Sequence, residues 1–74
     1  MELFIARDKD NSLNLCSHKQ VYDDFLDSWE PPNEYYDDDY GFHVYIPENL
    51  FPEVKFENSP MKVELKLIQD DRQR

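Results

Sequence analysis

The feature that most restricts this chain is a polar turn set between two alternating runs near its start. Asp8-Lys9-Asp10-Asn11-Ser12 is a dense turn cluster. Aspartate and asparagine bond their own backbone and tolerate the left-handed region. Before the turn, residues 2–7 set Leu3 and Ile5 against Phe4 and Ala6. After it, residues 13–17 set Leu13 and Leu15 against Asn14 and Cys16. Period-two alternation on both sides of a short turn predicts an antiparallel β-hairpin. Apolar residues on both faces of the first run predict that each of its faces is partly covered.

Two later runs alternate in the same way. Residues 42–46 place Phe42, Val44 and Ile46 opposite His43 and Tyr45, and residues 61–68 place Met61, Val63, Leu65 and Leu67 opposite Lys62, Glu64 and Lys66. One apolar and one polar face suit an antiparallel sheet with water on one side. The length of 74 residues allows one small domain. The expected fold is therefore α+β or mainly β: a small single domain over residues 1–69, with an antiparallel sheet built from the N-terminal hairpin and two C-terminal strands. Residues 70–74 are expected to be a polar C-terminal tail.

The middle supports more than one reading. Tyr22, Phe25, Leu26 and Trp29 recur at helical spacing, Ser17 and Gln20 have the spacing of a capping box, and Pro31-Pro32 would end a helix over 17–29. Against that, aspartate is a poor interior helix residue, while Val, Tyr, Phe and Trp suit strands. One helix or an irregular crossover is expected there. Residues 31–39 read as a loop, 48–51 as a helical turn opened by Pro47, 54–56 as a brief extended piece, and 58–60 as a turn.

Charge divides the chain more sharply than secondary structure does. The net charge is −9, and residues 20–57 hold eleven of the 17 acids, one base (Lys55) and ten of the eleven aromatics. Such a balance argues against general or direct nucleic-acid binding, which needs a basic footprint. No apolar run approaches a membrane span, and the opening residues lack the basic-then-apolar layout of a signal peptide. A single cysteine, Cys16, excludes an intrachain disulfide framework and fits a reducing, cytoplasmic setting. Its ordinary role is to pack as a small apolar residue.

Chemistry-bearing constellations are weak. Asp8, Asp10 and Ser12 have the spacing that opens a calcium loop, but Leu13 stands where the loop needs glycine and Lys19 where it needs glutamate. Cys16, His18 and His43 supply three soft ligands where structural zinc takes four. Adjacent Asp37, Asp38 and Asp39 on a loop point apart, so a solvated acidic loop is the plainer reading than a cation site. There is one glycine, Gly41, hence no glycine-rich phosphate loop, and no nucleophile signature. No catalysis, cofactor or metal is expected.

The leading and closing segments carry a resemblance. Leu3-Phe4-Ile5-Ala6-Arg7-Asp8-Lys9-Asp10 with Ser12-Leu13, then Leu50-Phe51-Pro52-Glu53-Val54-Lys55-Phe56, then Val63-Glu64-Leu65-Lys66-Leu67 resemble a group of short uncharacterised proteins of gut bacteria and their phages. Two positions depart from the group's pattern: Asn11 where glycine is usual, and Phe56 where tryptophan is common. The resemblance covers about half the chain and implies an accessory-genome protein. The group has no established activity, so it assigns no functional residue.

The functional expectation falls on the acidic, aromatic middle. Trp29, Tyr35, Tyr36, Asp37, Asp38, Asp39 and Tyr40 are the candidate partner-binding residues, since Trp and Tyr are enriched at binding hot spots. The partner expected is a basic protein surface, met by a non-catalytic interaction module. Two alternatives are a DNA mimic that blocks a nucleic-acid enzyme, which needs carboxylates in rows at duplex phosphate spacing, and a structural homo-oligomer that covers an exposed sheet edge. No membrane partner is expected, and the oligomeric state is open.

Overall fold

In the computed structural model, which describes residues 1–68, the hairpin forms where the sequence places it. Strand β1 (Glu2–Arg7) pairs antiparallel with β2 (Leu13–Cys16), Ile5 opposite Leu15 and Arg7 opposite Leu13. The turn closes with Asp8 N–H donating to Ser12 O at 2.8 Å and Asn11 N–H to Asp8 O at 3.0 Å. Asn11 takes φ 81°, the left-handed position of a three-residue hairpin loop. Asparagine tolerates this conformation, which explains how the turn forms without glycine.

The later alternating runs flank this hairpin. Strand β5 (His43–Ile46) pairs with β2, and β6 (Met61–Glu64) pairs with β1, giving one antiparallel sheet in the order β5-β2-β1-β6. The domain is small and mainly β. Strand β6 stops at Glu64, short of the expected end at 68. Leu65 still exchanges backbone bonds with Met1, but Leu67 is 91% exposed. The expected tail at 70–74 lies outside the described residues.

Directly paired residues share a face, so register fixes what each side of the sheet presents. One face carries Leu3, Ile5, Arg7, Leu13, Leu15, Ile46, Met61 and Val63. The return segment between β5 and β6 folds over it and plants Val54, 2% exposed, against Ile5 and Leu13. That segment departs from expectation. Residues 48–51 form a turn closed by Leu50 N–H to Pro47 O at 3.1 Å instead of a helical turn, and Phe51 adopts φ 49°. The extended piece expected at 54–56 gives way to a 3-10 turn, Phe56–Asn58, whose Asn58 side chain accepts from Lys55 N–H at 2.7 Å.

The opposite face carries Phe4, Ala6, Asn14, Cys16 and His43, and residues from the middle of the chain cover it. Helix does not form at 17–29. Strands β3 (Val21–Asp23) and β4 (Ser28–Glu30) pair instead as a second small sheet. Asp23 decides this. Its carboxylate accepts from the N–H groups of Phe25 and Leu26 at 2.8 and 3.0 Å, which supplies a turn where a helix would need continuous backbone bonding. Asp27 completes the reversal at φ 56°. Phe25, part of the apparent apolar stripe, is 94% exposed. One helical turn, α1 (Asn33–Tyr36), interrupts the loop expected at 31–39.

Candidate interaction surface

The residue that most organises the molecule is one the sequence reading passed over. Arg7 lies on the apolar face of β1, in step with Leu3 and Ile5, and is 7% exposed. Its guanidinium donates from Nε to Val54 O at 2.6 Å, from Nη1 to Asn11 O at 3.0 Å and Glu48 O at 3.1 Å, and from Nη2 to Leu50 O at 3.0 Å and Phe51 O at 3.2 Å. Carbonyl dipoles, not a carboxylate, solvate the buried charge. Two of the segments that carry the resemblance, residues 3–13 and 50–56, are thus joined through one side chain. The signal was present in the sequence: an arginine in phase with an apolar strand face must find acceptors there.

The seven candidate residues do not form one patch. Trp29 sits on β4 and works inside the fold. Its N–H donates to Asp8 Oδ1 at 2.8 Å, its carbonyl accepts from Asn14 Nδ2 at 3.5 Å, and its ring meets Tyr22 at 5.4 Å and Phe56 at 6.1 Å between centroids. Lys9 Nζ stands over Tyr22 and Phe56, 5.6 and 5.2 Å from their centroids, and pairs with Asp27 at 3.1 Å. Around Asn14 the layer between sheet and hairpin is polar. Gln20, 2% exposed, donates to Asn14 Oδ1 at 2.7 Å and Phe4 O at 3.0 Å.

The other six candidates lie together at the end of β2 that is remote from the hairpin turn. Tyr35 is half-buried, edge-on to His18 at 6.0 Å and to Tyr36 at 5.2 Å. A Cβ at Gly41 would lie 3.0 Å from Tyr35 Cδ2, so any larger residue would press on the ring over which the loop closes. Asp38 is the loop's inner fastening. It accepts from Tyr40 N–H at 2.8 Å and from His18 Nε2 at 3.2 Å, and its carbonyl accepts from Gly41 N–H at 3.1 Å. His18 Nδ1 lies 2.8 Å from Ser17 Oγ, which accepts from Phe42 N–H at 3.0 Å. With that hydroxyl donating to Nδ1, the ring carries its proton on Nε2, facing Asp38.

This fastening leaves Tyr36 and Tyr40 outside, 70% and 89% exposed, with Asp37 and Asp39 also in solvent. A groove of about 410 Å³ runs beside the loop between Phe4, Val21 and Pro32, rimmed by His18, Lys19 and Glu34. A second cleft of about 590 Å³ lies at the other end, between Asp8, Asp10, Leu26, Ser28 and Tyr45. There burial raises the Asp8 carboxyl above the usual aspartate value of 3.8, opposed by the Trp29 N–H bond, with the nearby Asp10 and Glu30 charges adding to the rise. Burial, then the Asp8 charge, also raises the Tyr45 phenol. Asp10 moves the other way, because Ser12 N–H bonds its charged form.

The remaining constellations resolve into ordinary structure. Cys16 is fully buried in β2, and burial raises its thiol, so it is a packed side chain without an activating cation. Cys16 and His43 are cross-strand partners, whereas His18 lies beyond the strand and is engaged by Ser17 and Asp38. Among the described residues no group of three or more His, Cys, Asp or Glu is placed to hold a metal ion, and no helix is long and apolar enough to cross a membrane. No family model matches the chain, and no curated protein or solved structure is similar to it.

Proposed function

We propose that the protein is a small, non-catalytic interaction module that meets a basic protein surface with the loop at residues 34–40. The observation that carries this reading is the placement of Tyr36 and Tyr40, two exposed aromatic rings flanking Asp37, Asp38 and Asp39 on a loop held from beneath. A ring on a fastened loop loses little conformational freedom on binding, and tyrosine supplies contact area and a polar tip together. The carboxylates add attraction that speeds encounter with a basic partner and rejects acidic ones. Trp29 is left out of this surface, since its backbone and ring are committed to Asp8, Asn14, Tyr22 and Phe56. An accessory-genome origin, drawn from the resemblance, and a cytoplasmic setting, drawn from the buried free Cys16, belong to the same proposal.

The distribution of acids favours this reading over imitation of DNA. Asp23 and Asp27 are used in and beside the β3–β4 turn, near Lys9, while Asp37, Asp38 and Asp39 lie at the far end of β2 near His18. This grouping supports a local acidic loop better than it supports a continuous row at duplex spacing. The test is capture from a bacterial lysate on immobilised protein, with two variants compared: Tyr36→Ser with Tyr40→Ser, and Asp37→Asn with Asp39→Asn. A species held by the parent protein, released by salt and lost by both variants supports the proposal. Equal retention by the variants, or no specific retention, overturns it.

A further inference from the structure

A four-stranded open sheet has two free edges, and here they differ. On β6 the bonding to β1 is fixed by Met1 and Leu65, which exchange N–H to O bonds at 3.2 and 2.7 Å. Narrow pairs alternate along an antiparallel ladder, so Leu3–Val63 and Ile5–Met61 are also bonded pairs. The backbone groups of Lys62, Glu64 and Lys66 therefore face outward. On β5 the outward positions are His43 and Tyr45 alone, because Val44 and Ile46 bond to β2, and Pro47 ends the run without an N–H. Each edge strand has four residues. The chain runs on past β6 with Leu65, Leu67 and Ile68 at 58%, 91% and 85% exposed.

We propose that the free edge of β6 pairs antiparallel with the same edge of a second copy of this chain, in the register that sets Glu64 opposite Lys66. Charged residues usually blunt a sheet edge. Here they alternate in sign, so registers centred on Lys62 or Lys66 set a lysine against its own copy. The three in-phase registers centred on Val63, Glu64 and Leu65 are not equivalent either. Glu64 opposite Glu64 brings Lys62 against Lys66, so like charges face each other throughout. Lys62 opposite Glu64 matches charge but puts Pro60, which has no N–H to give, opposite Lys66. Glu64 opposite Lys66 matches charge twice across the twofold axis and sets Lys62 against Ile68, with every residue able to donate.

That register also pairs Leu65 with its own copy and Val63 with Leu67, on the face that carries Ile5 and Leu13. The exposed apolar residues after Glu64 thus gain cover as an extension of the existing core face, and two four-stranded sheets become one. The interaction is self-complementary, as a twofold interface requires. It does not rest on the partner loop at 34–40, which is fastened through His18 beside β2, two strands away from the β6 edge in the sheet.

Sedimentation equilibrium over a range of protein concentrations tests the proposal on the full chain. The parent protein is expected to dimerise reversibly. Glu64→Lys, which makes every register repulsive, is expected to weaken dimerisation about tenfold or more. Glu64→Lys combined with Lys66→Glu restores opposite charges and is expected to restore the dimer. Lys66→Pro removes an outward-facing N–H, spares the bonds to β1, and is expected to give a monomer with unchanged circular dichroism. A parent protein that stays monomeric at all concentrations overturns the proposal. So does a dimer indifferent to Glu64→Lys and Lys66→Pro, or a charge-swapped double variant that fails to re-associate.

Discussion

Arg7 shows how much one polar side chain sets in a core this thin. The buried apolar residues are Leu3, Ile5, Ala6, Leu13, Cys16 and Val54, and the arginine lies beside them with carbonyls from three segments around its guanidinium. Lysine at this position presents one ammonium where a planar fork now reaches acceptors on several sides, and it leaves buried carbonyls unpaired. Arg7→Lys is expected to lose about 3 kcal/mol in urea unfolding, which would remove most of the stability a core of this size supplies. Asp8 and Asp10, two positions apart, should respond oppositely to acid. The raised Asp8 carboxyl favours the folded state when protonated: that contribution is fully present below 3.8 and is lost as pH rises through the folded value. The lowered Asp10 carboxyl contributes above 3.8 and loses its effect as pH falls through its folded value. Asp8→Asn keeps an oxygen for Trp29 N–H and removes the buried charge. It is expected to raise the melting temperature at pH 7, with the gain shrinking toward pH 4.

At the scale of elements, legibility followed the period of the pattern. The four strands of the main sheet alternate with period two and were readable in type, and the first two as a hairpin, because alternation is a direct imprint of a pleated surface on sequence. Which later strand flanks which side of the hairpin was not readable. Even the departure at Asn11 was compatible with the turn. Residues 17–29 were ambiguous because their ring spacing matched a helical stripe, while the turn that Asp23 opens and left-handed Asp27 closes is a local event that periodicity does not register. The surface suffered from the same blindness. Contiguity in sequence grouped Trp29 with Tyr35, Tyr36 and Tyr40, yet β4 turns Trp29 toward Asp8 and Phe56. Two substitutions probe the observed hairpin, and the first also separates it from a helix. Phe25→Asp is expected to leave thermal stability within about 0.5 kcal/mol, as for an exposed turn residue. Asp23→Ala is expected to cost about 1 kcal/mol through the two lost turn bonds.

Across the whole molecule the sheet is covered on both sides by segments with little regular structure: the return between β5 and β6 on one face and the middle of the chain on the other. Cys16 reports on that cover, since it is fully buried under the middle segment. Its reaction with a thiol reagent is expected to be slow in the native state and to accelerate with urea in step with loss of the sheet. Reaction that outruns global unfolding would mean that the cover opens alone. The placement of β1 has a further consequence, for synthesis. Strand β1 is an inner one, and its second neighbour, β6, is made only after β2 to β5. Until residue 64 has emerged, one flank of the nascent hairpin lies bare, and until residue 54 has emerged, Arg7 has only part of its set of carbonyls. The bare flank is thus open to neighbours on the same polysome from the synthesis of β2 until that of β6, and a chaperone has most to do during that interval.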